Sequence, residues 1–188
     1  MLLFKILTVT VLWLSTATHA QIQGTKEDQI DYFDACGRGN YDKVKEILLE
    51  HPSFVNIKTE FGETCLHLSS IDGSEPITEL LLSKGGDPNA RVTAEEGLRM
   101  HPLSWHVYGG HLRNVQMLID HGADVNAPFY HKRDKSHKDT ATVLDIVDLA
   151  IRQYKEPPQS DNRHVVMRRL LEDNGGKRYM ELQDGDAL

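Results

Sequence analysis

The sequence predicts an all-α solenoid, a stack of helix–turn–helix units joined by β-hairpin-like fingers. Three observations carry that prediction. First, residues 62–90 and 99–127 match at a constant offset of 37 positions. Leu66 falls on Leu103, Gly73 on Gly110, Leu81-Leu82 on Leu118-Ile119, Gly85 on Gly122, and Asp87-Pro88-Asn89-Ala90 on Asp124-Val125-Asn126-Ala127. Second, Val44, Ile47 and Leu48 recur at i, i+3, i+4, as do Val115, Leu118 and Ile119, giving each unit one apolar helical stripe. Third, Gly85 and Gly122 follow the stripe directly, where a helix ends in the left-handed region. A lone helix pair cannot bury such a stripe, so the units must stack and share a core.

Taken in chain order, the N-terminus stands apart. Lys5 is followed by the apolar run Ile6 to Leu14 and a small-residue stretch ending Thr18-His19-Ala20. That order predicts a secretory signal peptide over residues 1–20, cleaved after Ala20. The apolar run is short of the roughly 20 residues a membrane-spanning helix needs. Cleavage would move the formal charge from −7 to −8, because only Lys5 is lost. The first unit follows at about 28–60, with Tyr32, Gly39 and Ile47-Leu48 lying 34 positions before their counterparts in the second. The second and third units span about 61–96 and 97–137. The fourth, about 138–178, places Leu144 41 positions after Leu103 and Leu170-Leu171 52 after Leu118-Ile119. Residues 179–188 are expected to be a frayed acidic tail.

These residues resemble the ankyrin repeat, whose motif runs G-x-T-P-L-H-x-A, then Gly-His, a Leu-Leu pair, and G-A-D-V-N-A. The resemblance covers about residues 28–178, with terminal repeats degenerate. It implies a four-repeat domain over about 25–180 that binds proteins through its finger tips and the exposed side of its first helices. Carried over by position, that surface comprises Glu60, Phe61 and Glu63 from one finger and Arg91, Leu98 and Met100 from the next. Ile71, Asp72, Tyr108 and Gly109 come from helix ends. Exposed apolar side chains rimmed by charge suit a protein interface. The fingers lengthen toward the C-terminus, and a further insertion, 152–163, separates the helices of repeat four, where Pro157-Pro158 forbids helix.

Composition narrows the function classes. A net charge of −7 with no basic stripe argues against nucleic acid as a partner. The third finger, with Lys132, Arg133, Lys135 and Lys138, is a local basic loop. No N-x-[ST] sequon occurs. The partner expected is another protein, with no cofactor or metal and with the chain a monomer.

The histidines offer the rival class, a metal site or metal-dependent enzyme built on His101, His106 and the loop residues His131 and His137. His101 and His106 are five positions apart, about 140° round a helix, so they diverge. The resemblance makes His111 and His67 scaffold: they occupy the Gly-His and Leu-His positions, where imidazoles tie neighbouring repeats together. His121 suits the last turn of a helix. Trp105 lies on the first helix of repeat three, either exposed or wedged against the next repeat. Finally, Cys36 falls at the end of one first helix and Cys65 at the start of the next. Parallel axes about 8–10 Å apart and a five-residue offset of about 7.5 Å predict two unpaired, mostly buried thiols.

Overall fold

A computed structural model describes residues 24–93, 99–130, 139–154 and 162–185. Four helix pairs follow one another: α1 (Lys26–Gly37) and α2 (Tyr41–Glu50), α3 (Cys65–Asp72) and α4 (Glu75–Ser83), α5 (Pro102–Gly109) and α6 (Leu112–Asp120), α7 (Val143–Tyr154) and α8 (Arg163–Asp173). A short antiparallel pair, β1 (Phe129–Tyr130) and β2 (Asp139–Ala141), forms the base of the third finger. The predicted signal segment, Leu98, the basic loop with His131 and His137, and Pro157-Pro158 lie outside the described residues.

The predicted stripes are the core. Val44, Ile47, Leu48, Ile77, Leu81, Leu82, Val115 and Leu118 are buried, with Ile119 half-buried beside them. Each such side chain contributes roughly 1.5–3 kcal/mol relative to exposure. The second helices end as the sequence predicts, on Gly85 at φ +83° and Gly122 at φ +85°, where any side chain would be strained.

Polar cross-links of one repeating design fasten the units. Asn56 Nδ2 donates to Gly85 O (2.9 Å), and its Oδ1 accepts from Asp87 N (2.8 Å). Asn89 does the same to Gly122 O and Asp124 N, and Asn126 to Gly175 O and Lys177 N. Each asparagine therefore satisfies a carbonyl just past the end of the following unit's second helix and an amide of the turn beyond it.

Two expectations are corrected. Cys36 and Cys65 form a disulfide, with Cα atoms 5.5 Å apart, inside the range a bridge requires. Counting offset along parallel, level axes put them too far apart; the second first-helix instead starts beside the last turn of its neighbour. The C-terminal segment is not wholly frayed: α9 (Tyr179–Gly185) is helical. Arg178 holds it in place, its Nε 2.7 Å from Asp148 Oδ2 and its Nη1 2.9 Å from Glu181 Oε1.

Candidate functional site

The first helices start on a threonine-centred cap. In repeat two, Thr64 N donates to His67 Nδ1 (3.0 Å). The ring therefore carries its proton on Nε2, which points at Met100 O in repeat three (3.4 Å). Thr25 with Asp28, and Thr142 with Asp145, make the corresponding caps in repeats one and four. In repeat three His101 replaces the threonine, with Nδ1 3.4 Å from Ser104 Oγ and its ring edge against Phe129.

Two further rings cross the boundary between repeats in the same way. His111 Nε2 donates to Ser70 O (2.9 Å), and His106 Nε2 to Leu66 O (3.2 Å), both across the boundary between repeats two and three. His121 Nδ1 lies 2.8 Å from Met117 O at the end of α6. Burial holds the pKa values of His67 and His106 down to about 3 and that of His101 to about 4, because desolvation disfavours the imidazolium. His101 and His106 face different neighbours, and among the described residues no group of three or more His, Cys, Asp or Glu side chains gathers as a metal site would require. Trp105 is half-buried and packs edge-on against His67, so it wedges toward the preceding repeat rather than the next.

The candidate partner-binding residues separate into two sets. Phe61 is 52% exposed at a finger tip, with Glu60 exposed beside it. Ile71 and Tyr108 are 65% and 55% exposed. They occupy equivalent positions in α3 and α5, 37 residues apart, and Leu149, the corresponding residue of α7, is 40% exposed. Asp72 is exposed but turned back on repeat one, where its carboxylate fills the space beside Gly39. Gly109 carries no side chain because the His111 ring occupies the place of its Cβ.

Met100 does not belong with this set. It is only 8% exposed, and its carbonyl accepts from Val92 N (3.1 Å). It lies opposite Val92 where the finger closes, so its side chain turns under the repeat. Arg91 is half-buried, with Nη1 3.5 Å from Arg99 O. Glu63 is half-buried as well, its Oε2 accepting from Thr59 Oγ1 (3.0 Å).

Two features escape a reading of the sequence. The first is a groove of about 700 Å³ between α1 and the first finger, lined by Ile30, Phe33 and Phe61 and edged by Lys26, Lys58 and Glu60. The second is Arg99. Its φ of +53° occupies the position where its counterpart Gly62 has +89°. Its guanidinium lies 5.3 Å from the Tyr130 ring centre, and Nη1 donates to Tyr130 Oη (3.3 Å), joining the second finger to the third.

The comparisons with known proteins agree with this architecture. The family model "Ankyrin repeats (3 copies)" matches residues 33–128. Ankyrin repeat and SAM domain-containing protein 6 of Rattus norvegicus is 34% identical over 95 residues, covering 50% of this chain and 10% of that protein. A transient receptor potential cation channel subfamily A member 1 homolog of Caenorhabditis elegans is 27% identical over 122 residues, covering 65% and 9%. Ankyrin repeat and SOCS box protein 2 of Homo sapiens is 32% identical over 76 residues, covering 40% and 11%. The chain thus spans about a tenth of the length of these relatives.

Proposed function

Because the chain belongs to the ankyrin-repeat family, a protein–protein interaction module, we propose that it is an exported, non-catalytic binding protein. It holds a partner on its finger and first-helix face, through Phe61, Ile71 and Tyr108, with Glu60 at the rim. One observation carries this reading. Seven large hydrophobic side chains are exposed among the described residues, and Ile30, Phe61, Ile71, Tyr108 and Leu149 all lie on that one face. Only Leu49 and Met180 lie elsewhere. Scattered exposed apolar residues are ordinary, but a row crossing three successive repeats is what an interface core needs. The rigid stack presents that row already ordered, which lowers the entropic cost of binding.

Export rests on the N-terminal pattern and is supported by the Cys36–Cys65 disulfide, a bond that persists in oxidising compartments. No helix among the described residues is long and apolar enough to cross a membrane.

The test is affinity capture from the host's exported proteins, using the chain as its host processes it. A Phe61→Ala, Ile71→Ala, Tyr108→Ala variant, confirmed folded, is run beside it. A protein retained by the wild type and lost by the variant supports the reading; identical capture by both defeats it.

A further inference from the structure

The face described above is chemically asymmetric. Between Tyr108 and Leu149 a cavity of about 220 Å³ opens, floored by Val107, Ile146 and Val147 and edged by Gln153 and Arg163. It is smaller than the roughly 300–1,000 Å³ of a small-molecule pocket, so it suits one apolar side chain carried on a longer molecule. Two cations flank it. Arg163 begins α8 at the cavity edge, and Arg152 lies one turn after Leu149 on the same face of α7. Both are exposed, and neither has a carboxylate within ion-pair distance among the described residues.

The nearby acids among the described residues are already engaged. Asp148 is buried and shared by Arg168 (3.4 Å) and Arg178 (2.7 Å). Asp145 accepts from Thr142 N (2.9 Å) and Tyr179 N (2.8 Å). Glu75 faces Arg113 at 3.6 Å, and Glu172 is held by Arg168 at 3.0 Å. In a chain of net charge −7, this end of the face therefore offers two arginines with no acidic partner among the described residues, beside a small cavity of mixed apolar and polar lining.

We infer that the C-terminal end of the binding face takes an acidic peptide segment, one apolar side chain entering between Tyr108 and Leu149 and carboxylates meeting Arg152 and Arg163. This rests on the proposed function and specifies its partner. Charge complementarity of this kind selects partners and speeds encounter. A phosphate-bearing polymer would answer the arginines but leave the floor of Val107, Ile146 and Val147 uncovered, which favours the peptide.

The experiment uses the full processed chain on a synthetic array of random 12-residue peptides, at low and at physiological salt. The bound set is expected to be enriched in Asp and Glu next to Leu, Ile, Phe or Met. Binding should weaken at least tenfold in Arg152→Glu, Arg163→Glu and, separately, in Leu149→Ala. Arg152→Ala, Arg163→Ala serves as a second variant, with the fold of each checked by circular dichroism. Raising salt should weaken wild-type binding and leave the alanine variant nearly unchanged. Bound peptides without acidic enrichment, or equally held by the arginine variants, overturn this inference while leaving the binding face intact if Tyr108→Ala still abolishes capture. No bound peptide, or tighter binding of a nucleic-acid or anionic-vesicle control, overturns it as well. Capture that ignores Tyr108→Ala and Phe61→Ala defeats the underlying reading instead.

Discussion

The disulfide makes the most quantitative prediction about stability. It joins the last turn of α1 to the first residue of α3 and closes a loop with a sequence separation of 29. Constraining an unfolded chain over that length stabilises the folded state by about 3–4 kcal/mol. For a domain of this size each kcal/mol moves the melting temperature by about 2–4 °C, so Cys36→Ala, Cys65→Ala should melt about 7–15 °C lower. Both cysteines are fully buried, so the double variant is a cleaner perturbation than a reductant. In a stack whose repeats touch only their neighbours, the loss should be local. Hydrogen exchange should accelerate over residues 26–72 and change little over 102–173. The assay is thermal unfolding by circular dichroism, paired with thiol titration of the native protein without reductant. A melting temperature that moves by less than about 2 °C would refute the argument, as would two titratable thiols per chain.

Three further predictions follow from the packing. His67, His101 and His106 are held neutral in the fold, with pKa values depressed to about 3, 4 and 3, whereas the unfolded chain protonates them near 6.5. Their stability contribution is therefore complete above pH 6.5 and is lost as pH falls toward 4 for His101 and toward 3 for His67 and His106, by up to about 2 kcal/mol each at pH 5. A urea midpoint unchanged between pH 7.5 and 5 would contradict this. Asn89→Ala removes two hydrogen bonds between repeats two and three, and should cost about 1–3 kcal/mol, measured by urea unfolding; a cost below that range speaks against the cross-link. Gly109→Ala places a methyl group where the His111 ring lies, so it should break the His111–Ser70 bond and cost about 1–3 kcal/mol. A crystal structure of that variant with the bond intact would show the contact to be slack.

Much of the fold is legible in the sequence because its determinants are local and repeated. The i, i+3, i+4 stripes and the glycines after them fix the second helices, and the Leu-His and Gly-His positions identify imidazoles that tie repeats together. What is not legible depends on how elements lean on one another. The Cys36–Cys65 pairing follows from where one first helix starts beside its neighbour, which offsets along an axis do not contain. Met100 aligns with Glu63 but turns inward, because the longer finger closes through its carbonyl on Val92. The order of α9 comes from Arg178 on Asp148 and Lys177 on Asn126, partners 30 and 51 positions away. On the candidate face, Phe61, Ile71 and Tyr108 are where the repeat pattern puts them. Leu149 joins them only once repeat four is seen in register.

The most direct test of the central claim is site-specific photo-crosslinking in the host's exported fraction, where the proposed function places the chain. The crosslinker is placed at Tyr108 and, as an internal control, at Leu49, an exposed apolar residue on the second helix of repeat one. A defined protein adduct from position 108 with none from 49 is the predicted result. Equal adducts from both positions, or an adduct from 49 alone, would contradict a partner seated on the finger and first-helix face.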